Sequence, residues 1–89
     1  MSPTAIAALE PRRRATAAGE IRAVASLKRP YPRTEVELDD GTGVLRLRFV
    51  GRTQVPGLAP GRRIVAEGTP ATTPEGLVML NPLYRLVVE

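Results

Sequence analysis

The sequence predicts an all-β fold: five short strands closed into a Greek-key barrel, behind a short N-terminal tail. Three observations carry that expectation. Apolar and charged side chains alternate along 34–39 and 44–50, with the turn chemistry of Asp39-Asp40-Gly41-Thr42-Gly43 between them. Further short apolar stretches recur to the end of the chain, each bounded by Gly or Pro. With 89 residues and neither cysteine nor histidine, the chain has no disulfide and none of the usual zinc or iron–sulfur ligand sets. Pairing and packing must then hold it. An open sheet would leave two edges free, and closure removes them.

Taken in order, residues 1–14 read as a basic N-terminal tail. Ser2-Pro3 can start a short helix with Ile6 and Leu9 on one side, Pro11 ends it, and Arg12-Arg13-Arg14 come next. The remaining residues, 15–89, form one domain. In 15–28 alanine favours helix, while Gly19 and the three-residue spacing of Ile21, Val24 and Leu27 oppose an amphipathic one. A bent strand with a bulge produces the same spacing, because the extra residue shifts the period-2 pattern by one. The bent strand is the reading that fits the hairpin of residues 34–50.

The next two strands form that antiparallel hairpin. Setting Leu38 opposite Leu45 puts Glu37 opposite Arg46 and Glu35 opposite Arg48, each pair contributing roughly 0.2–1 kcal/mol. Val36, Leu38, Leu45, Leu47 and Phe49 then share the inner face with Ile21 and Ile64. Residues 51–61 hold Pro56 and Pro60 and read as a loop. Residues 62–69 read as the fourth strand, 70–76 as a polar turn, and 77–80 as the start of the fifth strand. Pro82 interrupts that strand, and 84–88 resume it.

Thirteen basic residues against nine acidic give a net charge of +4, and Lys28 is the sole lysine. Such a balance favours polyanionic partners. No apolar run approaches the ~20 residues of a membrane span. Ala5–Leu9 is too short for a signal core, and no long apolar stretch comes after Arg12–Arg14. The expected compartment is the cytoplasm, with no membrane partner. Catalysis is not expected. Asp39 and Asp40 are adjacent in a turn and diverge, Ser26 has no histidine to activate it, and Gly41-Thr-Gly43 lacks the third glycine of a dinucleotide fingerprint. No cofactor or metal is expected.

The order Gly19-Glu-Ile-Arg-Ala-Val24, Val36-Glu-Leu-Asp-Asp-Gly-Thr-Gly-Val44, Leu47-Arg-Phe49 resembles OB-fold nucleic-acid-binding domains. Leu58-Ala-Pro-Gly-Arg-Arg-Ile-Val-Ala-Glu-Gly68 and Met79-Leu-Asn-Pro-Leu-Tyr84 extend the resemblance over residues 15–86. The nearest variants are small stand-alone bacterial OB proteins and the wedge domain of the branch-migrating DNA helicase. The resemblance implies the five-stranded barrel and a ligand lying across the middle strands, flanked by the first-to-second and fourth-to-fifth loops.

On this chain the implied surface starts with the first loop, Lys28-Arg29-Pro30-Tyr31-Pro32-Arg33. Its cations can meet phosphates, its prolines stiffen it, and Tyr31 either stacks on a base or packs back on the barrel. Arg46 and Arg48 lie on the same face, with Arg22 on the neighbouring strand. Glu35 and Glu37 stand opposite the two arginines, forming either a solvated ion ladder or a partial block of the binding face. Tyr84 is expected to pack at the core or rim. Arg52, after the third strand, is expected to lie outside the surface. The expected partner is nucleic acid, single-stranded or branched DNA before RNA. The alternative is an OB-fold module that docks on another protein.

Overall fold

The structure, a computed structural model, describes residues 2–88. Alternating burial marks seven strands: β1 (Ala15–Leu27), β2 (Arg33–Asp39), β3 (Val44–Val50), β4 (Arg63–Gly68), β5 (Pro70–Thr73), β6 (Gly76–Leu80) and β7 (Leu83–Leu86). The protein is all-β. Its hydrogen-bonded order is β5-β6-β3-β2-β1-β4-β7, an unclosed sheet of seven strands where five were expected. Every neighbouring pair is antiparallel except β3 and β6, which run parallel.

β1 organises the sheet. Its first half pairs with β4 and its second half with β2, so one strand serves two partners. The register slips between Ile21, opposite Leu38, and Ala23, opposite Glu37, which makes Arg22 the extra residue of a bulge. The segment is the bent strand, not a helix; the bulge accounts for the spacing of Ile21 and Val24, whereas Leu27 follows Val24 in unbroken register and lies opposite Arg33 on the outward face. The bulge turns Ile21 inward and leaves Arg22, Ala23 and Ala25 exposed.

Gly19, just before the bulge, lies against β2. A Cβ there would stand 2.6 Å from the carbonyl oxygen of Asp39 and 2.9 Å from its carbon. That obstacle is backbone, so β1 and β2 must separate to admit it. Gly19→Ala is therefore expected to lower unfolding free energy by about 1–3 kcal/mol. Urea unfolding measures this, and an unchanged midpoint would mean the strands separate freely.

The β2–β3 register is the one the alternation predicts, with Leu38 opposite Leu45, Glu37 opposite Arg46 and Glu35 opposite Arg48. All seven expected core residues, Ile21, Val36, Leu38, Leu45, Leu47, Phe49 and Ile64, are buried. Each such side chain contributes on the order of 1.5–3 kcal/mol by leaving water. Ala17, Ala66 and Met79 complete the centre.

The segment expected to be a polar turn, 70–76, instead forms β5 with the start of β6. Thr69 alone separates β4 from β5, and β5 pairs antiparallel with β6. The strand expected over 84–88 is β7, Leu83–Leu86, paired with β4.

Residues 2–14 pack against the end of the sheet that carries the β2–β3 turn. The expected short helix is a single 3-10 turn at Ile6–Ala8, too short for an α-helical repeat. Ile6 and Leu9 are buried in the same core cluster as β1–β4. The turn fastens this segment: Ile6 N–H donates to Asp40 Oδ2 (2.9 Å) and Ala7 N–H to Thr42 Oγ1 (3.1 Å). The Thr42 hydroxyl is the largest influence on Asp40. Desolvation opposes it, and the N–H groups of Ile6, Thr42 and Gly43 add to it, bringing the carboxyl from 3.8 down to about 2. The opposite end is closed by Val55, Leu58 and an edge-to-face pair of Phe49 and Tyr84 (5.6 Å between centroids, 76°). Tyr84 also donates its hydroxyl to Pro56 O at 2.8 Å, which settles it as core and rim packing.

Candidate nucleic-acid interface

Pleating puts Arg33, Glu35 and Glu37 of β2 on the outward face with Arg46 and Arg48 of β3. The charges there do not pair rung by rung. Glu35 collects three guanidiniums: Arg33 Nε at 2.8 Å and Arg48 Nε at 3.0 Å on Oε2, and Arg46 Nε at 3.6 Å on Oε1. Arg46 has a second partner in Glu75 (3.4 Å), at the β5–β6 turn. Glu37, expected to pair with Arg46, stands opposite it in the backbone register but makes no ion pair among the described residues. Partial burial is the largest influence on the Glu35 carboxyl and disfavours its charge. Hydrogen bonds from Arg33 and Arg48, together with their positive charges, outweigh it and hold the pKa below its ordinary 4.5.

This middle of the face is nearly neutral. Arg33, Arg46 and Arg48 are matched by Glu35, Glu37 and Glu75. The side chains of Arg33, Arg48 and Glu35 are also largely covered, Arg33 at 14% exposure and Arg48 at 19%, whereas Glu75 stays exposed. A phosphate approaching here has to compete with carboxylates already in place.

Arg33 has a further task. Its NH1 donates to the carbonyls of Arg29 (2.9 Å) and Tyr31 (3.1 Å), and its guanidinium carbon lies 4.8 Å from the centroid of the Tyr31 ring. Glu35 holds Arg33, and Arg33 holds the loop. Tyr31 is therefore not inserted in the core. One side of its ring meets a guanidinium, and the residue remains 37% exposed. Arg22, put out by the bulge, pairs with Asp39 at 2.9 Å and is otherwise exposed. Asp39 and Asp40 are thus engaged in the turn. Asp39 Oδ1 accepts from Gly41 N–H, and Asp40 Oδ1 from Thr42 N–H.

Cations without a carboxylate within 4.0 Å, among the described residues, fall in two groups: Lys28, Arg29 and Arg52 at the loop end, and Arg12, Arg62, Arg63 and Arg85 elsewhere on the surface. Lys28 and Arg29 are exposed. Arg52 shares that condition and joins them. Gly51 N–H donates to Pro32 O (2.8 Å), Thr34 Oγ1 to Arg52 O (2.8 Å) and Ser26 Oγ to Thr53 O (2.6 Å). The sequence reading set Arg52 apart from the loop, and these bonds place residues 51–53 beside it. The signal was in the hairpin register: Arg33 opposite Val50 forces residues 51–52 against 31–32.

The basic run of the tail is elsewhere. Arg13 pairs with Glu10 and Arg14 with Glu67 of β4, beside the first residues of β1 rather than its last. No cluster of acidic residues among the described residues is arranged to hold a metal ion, and no helix there is long and apolar enough to cross a membrane.

Neither a protein-family model nor a curated protein matches this chain. Its geometry and charge are what point to a function.

Proposed function

We propose that the chain is an OB-type barrel that binds nucleic acid, single-stranded or branched DNA in preference to RNA, through its loop end rather than the centre of its β2–β3 face. The single observation that carries the reading is that the 28–33 loop and residues 51–53 are bonded together at one end of the sheet, so that Lys28, Arg29 and Arg52, exposed and without carboxylate partners among the described residues, share that end with the exposed Tyr31. The barrel reading is supported by β1 serving two partners, by the parallel β3–β6 pair, and by β4 and β5 being parted by Thr69 alone. Taken as one bent strand, β4 and β5 join the ends of the order into a five-stranded ring.

Three phosphate contacts predict a log–log salt slope of about −2 for a single strand, from roughly 0.7 per contact. Arg29→Ala with Arg52→Ala should flatten it by about 1.4, and Arg13→Ala should leave it unchanged. Fluorescence anisotropy with labelled single strand, duplex and RNA measures all of these. Slopes that ignore Arg29 and Arg52 in a folded protein would remove the loop end from the site.

A second reading, docking on another protein, is favoured by a different region. Leu83, 65% exposed, lines a groove of about 280 Å³ with Pro3, Thr16, Val65 and Arg85, and Val87 and Val88 are exposed beyond the other end of β7.

A further inference from the structure

Charge alone does not distinguish a single strand from a duplex, and the loop end holds more than charge. β3 finishes there with Val50 on the outward face, opposite Arg33. On its other side β6 finishes in register, with Leu80 beside Arg48. Val50 is 43% exposed and Leu80 51%, although core positions of both strands are fully buried. The corner is held in place: Asn81 N–H donates to Arg48 O (2.7 Å) and Val50 N–H to Asn81 Oδ1 (2.8 Å). Tyr31 is braced on Arg33, the residue opposite Val50. Exposed Tyr31, Val50 and Leu80 thus share the end of the sheet at which residues 28–29 and 51–52 meet.

We infer that Tyr31, Val50 and Leu80 form a shelf for an unpaired nucleobase, while Lys28, Arg29 and Arg52 hold its flanking phosphates. The inference rests on the nucleic-acid reading and adds base-contacting residues to it. A flat apolar surface beside cations matches a nucleotide, whose planar base and phosphate are about one side chain apart. Bases stacked in a duplex offer no free face to it, whereas an extended single strand does. Apolar side chains as well as aromatic ones pack on base faces. Val44 is a built-in contrast. It is exposed on the same face of β3, but at the far end, opposite Asp39 and away from the three cations.

The test compares a short oligothymidylate with an abasic oligomer of equal length, which keeps the phosphates and removes the bases. The wild-type protein should bind the oligothymidylate roughly five- to a hundredfold tighter. Val50→Ser with Leu80→Ser should bring the two affinities together while leaving the salt slope unchanged. Val44→Ser and Leu83→Ser should preserve the difference. Circular dichroism and thermal melting establish that each variant is folded, and Val50→Ala with Leu80→Ala replaces the serine pair if it is not. Equal affinities in the wild type, or a difference that survives both double substitutions, overturn the shelf but leave the phosphate contacts standing. Binding of neither oligomer at low salt overturns the nucleic-acid reading itself.

Discussion

Glu35→Gln is expected to lower the unfolding free energy by about 2–3 kcal/mol at neutral pH, in the range of hydrogen bonds to charged groups. The carboxylate is 15% exposed and has three guanidinium groups within 4.0 Å. Glutamine keeps the shape and removes the charge, leaving three cations to repel one another in a half-covered site. Removing one partner of a fully buried pair costs about 3–5 kcal/mol, and residual solvent access reduces that here. The sign of the pH dependence comes from the depressed carboxyl. Its contribution is fully present above the ordinary value of 4.5 and is lost as pH falls through the lower folded-state value. Wild type and variant should therefore converge in strongly acidic solution. Urea unfolding at neutral and acid pH checks this. A difference of constant size across that range would assign the loss to shape rather than charge. Tyr31 should also lose order in the variant, because Arg33 is its brace.

Phe49→Ala carries the other large effect, an expected loss of about 3–5 kcal/mol. A chain of 89 residues has on the order of 4–13 kcal/mol in all, so the variant should be close to unfolding near 37 °C. Phe49 is 2% exposed and is the last inward residue of β3, between the sheet and the loop of residues 51–62. Its ring meets the Tyr84 ring edge to face, and Tyr84 ties β7 to Pro56 of that loop. The deletion therefore opens a cavity and loosens the closure of one end. Pairing Phe49→Leu with Tyr84→Leu in a double-mutant cycle should return a coupling of roughly 0.5–1.5 kcal/mol, the usual value of an aromatic pair. Additive losses would mean that the two rings stabilise independently.

The parts of the fold that were legible are those set by local pattern. The hairpin was readable because Glu35, Glu37, Arg46 and Arg48 alternate with apolar residues, and Leu38 and Leu45 flank a strong turn. The bulge at Arg22 was readable from the spacing of Ile21 and Val24, but the same spacing misplaced Leu27, which lies on the opposite face in regular register. β5 was not, because Pro70-Ala-Thr-Thr has turn composition and becomes a strand only through its pairing with β6. The burial of Ile6 and Leu9 likewise depends on distant acceptors, Asp40 and Thr42.

At the site, the cluster of Lys28, Arg29, Tyr31 and Arg33 was visible in the sequence, but its division of labour was not. Cross-strand reasoning matches each charge with the one opposite. It does not show that Glu35 takes Arg33 on its own strand, and Arg46 diagonally, while Arg46 also reaches Glu75. Arg52 was recoverable from the register, whereas the exposure of Val50 and Leu80 depends on how three strands end together.

The most direct test of binding at the loop end is a titration of the isotopically labelled protein with oligothymidylate at low salt, followed amide by amide by NMR. The shifts should concentrate at residues 28–33, 50–53 and 80–81, and added salt should reverse them. Shifts confined to 63–67 and 83–88, or none at saturating oligonucleotide, would contradict binding at the loop end.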